Sequence, residues 1–113
     1  MDELTIEFPE SSAADATRLA EDLTRYVRTA IDDVKAEVAP GKPDEMDFGA
    51  TVVIVLGAPS IVYLAKGIAD WIRRQGDPQL VIKRGRDSIV VKGELDQATK
   101  RELILAALNR PAG

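Results

Sequence analysis

Leu4-Thr5-Ile6-Glu7-Phe8 alternates apolar and polar side chains, the two-residue period of a strand with one buried face. Pro9 ends it, because proline has no amide hydrogen to continue a ladder. The period then changes. Ala16, Leu19, Ala20, Leu23, Val27 and Ala30 fall on one helical stripe, with Arg18, Glu21, Asp22, Arg25 and Arg28 around the rest. Ser12 stands where a hydroxyl can accept from the free N–H groups of a first turn, and Asp15 suits the positive end of the helix dipole. An amphipathic helix of about five turns is predicted. Val34-Lys35-Ala36-Glu37-Val38 alternates again before Pro40-Gly41-Lys42-Pro43 stops it. The pattern predicts a strand–helix–strand unit whose two strands run parallel, joined by a right-handed crossover.

Residues 48–65 carry no charge. A run of that length reaches the lower limit of a membrane span, but Gly57-Ala58-Pro59-Ser60 breaks it, and proline favours a new helix start there. Beyond the break, Ile61, Leu64, Ala65, Ile68 and Ile72 form a stripe opposite Lys66, Asp70, Arg73 and Arg74. A helix with a charged face packs on a core, so Pro59–Gln75 is predicted as a surface helix. Val52-Val53-Ile54-Val55 has strong strand propensity, yet a short apolar run has no period to separate strand from buried helix. Asp47, Gly49 and Ala50 before it and Gly57 after it favour a helix over Thr51–Leu56.

Gly76-Asp77-Pro78 is a stop signal. Leu80–Ile82 and Ile89–Val91 read as a hairpin joined by the basic turn Lys83-Arg84-Gly85-Arg86-Asp87. Asp96 caps a last helix with Ala98, Leu103, Ile104, Ala107 and Leu108 on its buried side, and Pro111 ends it. The fold class is therefore α+β, a two-layer α/β sandwich with a sheet of about four strands, in the order β-α-β-α-α-β-β-α. Residues 1–113 suit a single domain.

Composition narrows the chemistry. The chain has no cysteine and no histidine, which removes disulfides, thiol nucleophiles, Cys/His zinc sites and histidine bases together. Ser60 follows a Gly-Pro break but lacks both the spacing of a nucleophile turn and a base to activate it. Asp44, Glu45 and Asp47 are hard ligands without the loop glycine and ligand periodicity of a calcium site. No glycine-rich phosphate loop is present. No catalytic residue, metal or cofactor is expected. The net charge of −4 disfavours nucleic acid as a partner, since phosphate contacts supply most non-specific affinity. It divides unevenly: residues 1–46 hold 12 acids against 5 bases, and residues 47–113 hold 7 against 10. The acidic start MDELTIEF lacks a signal peptide's positive and apolar regions, so a cytoplasmic location is expected. The densest basic group is Arg73, Arg74, Lys83, Arg84 and Arg86. It could dock an acidic partner surface or a phosphate, or simply solvate a hairpin tip against edge-to-edge aggregation.

LTIEFPESS, RLAEDL and above all DFGATVVIVLGAPSIVYLAKGIADWIRR, followed by a hairpin and a short helix, resemble the effector-associated constant component family of bacteria. The resemblance spans nearly the whole chain. It implies a small α+β protein encoded beside variable effectors of conflict and immunity systems, among them protease-like, caspase-like and nucleotide-cleaving modules. It implies an adaptor or signalling partner of an effector or sensor protein, not an enzyme, and it brings no catalytic residues. Homo-oligomers are compatible with it. Two other readings stay open: a membrane-associated component with Phe48–Ile72 inserted or forming an oligomer interface, and a sensor of an anionic small molecule bound at the basic group.

Overall fold

The computed structural model describes residues 3–30, 35–39, 51–55, 61–84 and 87–109. They form β1 (Glu3–Glu7), α1 (Ala13–Ala30), β2 (Lys35–Ala39), β3 (Thr51–Val55), α2 (Ile61–Arg74), β4 (Leu80–Arg84), β5 (Asp87–Val91) and α3 (Gln97–Asn109). The sheet order is β2-β3-β1-β4-β5, with every neighbouring pair antiparallel. The α+β class is as predicted. The element order differs at one place, and the sheet has five strands.

That place is Thr51–Val55, which is a strand and not a helix. Val52 and Ile54 are fully buried on one side, while Val53 and Val55 are half-buried on the other. Their branched side chains suit a pleat and lose rotamer freedom in a helix. β3 pairs with β1 on one side and β2 on the other, and that tertiary pairing decides what local propensity left open. β1 and β2 do run parallel, but β3 lies between them instead of leaving them adjacent.

Leu4, Ile6, Ala36, Val52, Ile54, Leu80, Ile82 and Val91 point to one face of the sheet and are buried there. Register aligns them across strands, with Leu4 opposite Ile54 and Ile6 opposite Val52 and Ile82. The helices cover this face with Leu19, Leu23 and Val27 of α1, Leu64, Ile68 and Trp71 of α2, and Ile104 and Leu108 of α3. Burying each large side chain is worth roughly 1.5–3 kcal/mol, so this single layer interface is the main source of stability. The Phe8 and Trp71 rings meet with centroids 6.0 Å apart at an interplanar angle of 56°, tying the end of β1 to α2.

The helix ends follow the sequence signals. The Asp15 N–H donates to Ser12 Oγ at 3.1 Å. At the end of α2, the Gly76 N–H donates to the Arg73 carbonyl at 3.3 Å and the Asp77 N–H to the Ile72 carbonyl at 3.0 Å, the paired bonds of a Schellman stop. Both Gly76 (φ 83°) and Asp77 (φ 57°) lie in the left-handed region. Among the described residues no helix is long and apolar enough to cross a membrane. Within Phe48–Ile72, residues 51–55 form a strand of the central sheet and residues 61–72 belong to α2, while 48–50 and 56–60 lie outside the described residues.

At the start of α3 the Thr99 N–H donates to Asp96 Oδ1 at 2.7 Å. The Thr99 hydroxyl first, and its amide second, hold the Asp96 carboxyl below the ordinary carboxylate range. A depressed carboxylate stabilises the folded state above its unfolded pKa and loses that contribution as pH falls through the folded value. Asp96→Ala should therefore lower the melting temperature at neutral pH, and the gap to wild type should close in strong acid. Thermal melts of the two proteins across that range check it; a gap independent of pH would mean the carboxylate's charge plays no part.

Candidate interaction surfaces

The structure disperses the basic residues singled out by sequence. Arg73 and Arg74 are exposed on the last turn of α2, in the helical layer. The Arg74 guanidinium sits over the Tyr26 ring of α1, 4.9 Å from its centroid. Lys83 is exposed on the opposite side of the sheet, where its Nζ pairs with Glu7 at 2.9 Å. Arg84 is buried and points to the helices, donating to the Leu108 main-chain carbonyl at the end of α3, where a cation suits the helix dipole. β4 runs on to Arg84, which pairs with Asp87. Strand alternation therefore sends Lys83 and Arg84 to opposite faces, and a reading of both as hairpin tip misplaces Arg84. Arg86 lies outside the described residues, as do Ser60, Asp44, Glu45 and Asp47.

A different surface is the outer face of the sheet, on which no described helix lies. Val53 stands opposite Thr5, and Thr5 opposite Lys83; Val81 stands between Glu7 and Val90. Val53, Val55 and Val81 are half-buried by their neighbours, and Val90 is 44% exposed. The valines thus form two small apolar groups, Val53 with Val55 and Val81 with Val90, parted by Glu3, Thr5, Glu7 and Lys83, with Lys35 and Glu37 toward the β2 edge. The sequence carried this signal in β3, which is apolar at every position after Thr51. A strand covered on one face alone would have alternated more strictly.

In the helical layer, the Trp71 indole N–H donates to Asp22 Oδ2 at 2.7 Å and Gln75 Nε2 donates to the same oxygen at 3.0 Å. These bonds close a cleft of about 400 Å³ between α1 and α2, rimmed by Arg25, Tyr26 and Arg74. Gly67 lets α2 lie close to Tyr26, since a β-carbon would stand 3.1 Å from the Tyr26 hydroxyl and 3.3 Å from its ring, and the ring would have to give way. With its carboxylate occupied by two donors, Asp22 locks the two helices together. Sequence periodicity places Asp22 on the solvent side of α1 and gives no hint of this bond, which spans 49 positions.

A second cleft, of about 420 Å³, lies between α1 and β2 and is lined by Glu21, Thr24, Arg25, Arg28, Thr29 and Val38. Arg28 Nε donates to the Ala36 carbonyl at 2.7 Å. Thr24 Oγ1 is buried there without a hydrogen-bond partner. Val38 turns toward the helices but stays 37% exposed.

At the far end of the helices, Asp77 pairs with the Lys100 ammonium, which is buried although α3 was expected to present Ala98 inward; Ala98 is exposed. Glu10, Lys92 and Glu94 lie around this turn. Among the described residues no group of three His, Cys, Asp or Glu side chains could hold a metal ion.

No match was found to a curated protein or to a solved structure. The family model for Effector Associated Constant Component 1 matches residues 9–109, a span that runs from the end of β1 through all three helices to the close of α3. The chain belongs to the effector-associated constant component family.

Proposed function

We propose that this chain is a non-catalytic interaction module, an adaptor or signalling partner of a variable effector in a bacterial conflict system. The observation that carries it is the outer sheet face, which bears four valines with no described element over it. Apolar groups on an uncovered sheet face can be buried against a partner, with the charged residues between them fixing its orientation. The family's printed name supplies the association with an effector, and the resemblance supplies protease-like, caspase-like or nucleotide-cleaving modules as its kinds. The absence of histidine and cysteine leaves little for general-base or thiol chemistry.

Co-expression with the effector encoded by the adjacent gene, followed by chromatography with light scattering, tests the reading. A complex should form, and the double substitution Val81→Lys/Val90→Lys should weaken it at least about tenfold, since loss of a central apolar contact typically costs more than 1 kcal/mol. Circular dichroism verifies that the variant stays folded. No complex, or one indifferent to these substitutions in a folded variant, would sink it.

A further inference from the structure

The edge strand β2 carries a second and chemically different surface. Among the described residues nothing pairs with its outer side, and an unpaired strand edge is a template for another strand. Arg28 reaches across to this edge, where its Nε–H donates to the Ala36 carbonyl at 2.7 Å, so an incoming strand takes over that acceptor and releases the guanidinium. Beside it, the α1 cleft presents Arg25, whose side chain is 74% exposed and only 3.9 Å-coupled to Asp22. It also presents Val38, exposed over more than a third of its surface, and the buried, unpartnered hydroxyl of Thr24. An edge, an apolar contact, two guanidinium groups and an unsatisfied hydroxyl thus converge on one spot.

We propose that β2 accepts an extended segment of a partner protein as a sixth strand, and that this segment places an aspartate or glutamate side chain between Arg25 and Arg28. Side chains directly opposite one another in a sheet share a face. A partner residue opposite Ala36 or Val38 therefore points toward α1 and into the cleft. Guanidinium groups bind carboxylates through paired, charge-assisted hydrogen bonds. Glu21 also lines the cleft, so the match is to one acidic side chain and not to a run of them. A second copy of this chain fits poorly: antiparallel pairing of two β2 strands would bring Arg25 and Arg28 of α1 toward the same arginines of its twin, and like charges across an interface are selected against. This surface is separate from the outer sheet face, so the two stand or fall by different substitutions.

The probe is a short synthetic peptide alternating valine and glutamate, with the glutamine version as control, titrated into the isotopically labelled full chain and followed by amide chemical shifts. The glutamate peptide should shift the amides of Lys35–Ala39 and the Nε–H of Arg28, and bind at least about tenfold more tightly than the glutamine peptide at low salt, with the gap narrowing as salt screens the charges. Arg25→Gln/Arg28→Gln should abolish that preference, and Arg28→Lys, which keeps the charge, should retain part of it. Val81→Lys/Val90→Lys should leave peptide binding unchanged even where it abolishes effector binding. Equal affinity for the two peptides, shifts confined to β5 or the outer face, self-association through β2, or no binding at millimolar peptide would each overturn the proposal.

Discussion

Asp77→Ala is expected to destabilise the domain by about 3 kcal/mol or more, while Lys100→Met at the other end of the same ion pair costs about 1 kcal/mol or less. The asymmetry follows from exposure. The Lys100 side chain is 3% exposed and that of Asp77 is 44% exposed. Removing Asp77 strands a buried ammonium, whereas removing Lys100 leaves a carboxylate that water can reach, and methionine retains much of the apolar stem. Asp77 also holds a φ of 57°, which costs alanine about a further 1 kcal/mol, while asparagine tolerates it. Asp77→Asn should accordingly fall between wild type and Asp77→Ala. Urea unfolding of the three variants measures the differences; equal losses for Asp77→Ala and Lys100→Met would refute the argument from burial.

Gly93→Ala should be nearly as damaging, about 3 kcal/mol, at the upper end of what overpacking costs. A β-carbon at Gly93 would stand 3.1 Å from the Asp77 carbonyl carbon and still closer to its oxygen. Those are main-chain atoms that cannot rotate aside. The Asp77 N–H is held by the Ile72 carbonyl, so relief requires moving the whole α2–β4 turn away from the connection after β5. Because the methyl and the lysine–aspartate pair depend on the same turn, Gly93→Ala and Asp77→Ala should combine to less than the sum of their separate losses. The double variant in the same unfolding assay checks this; full additivity would mean the turn does not move.

Local pattern carried most of the elements and little of their arrangement. Alternation located β1 and β2, short apolar runs on either side of a turn located β4 and β5, and Ser12, Asp96 and Gly76-Asp77 marked helix ends by the hydrogen bonds they make in the fold. β3 escaped because Val52–Val55 is apolar at every position, and strand identity there comes from pairing with β1 and β2. The basic residues escaped for a geometric reason: two more paired residues in β4 turn Arg84 into the interior beside Leu108. The α1–β2 cleft could not be read either. Its Arg25 and Arg28 look like any solvated helix face until the order of the sheet makes β2 an edge.

That same order gives β1 a singular place. β2 and β3 form one antiparallel ribbon, β4 and β5 another, and β1 is the seam that hydrogen-bonds to both. Thr5 and Ile6 are the two residues of β1 that pair on both sides, with Val53 and Val52 of β3 and with Lys83 and Ile82 of β4. A substitution at Thr5 or Ile6 that breaks its pairing therefore loosens both ribbons at once, whereas the ladder ties Glu3 to β3 alone and Glu7 to β4 alone.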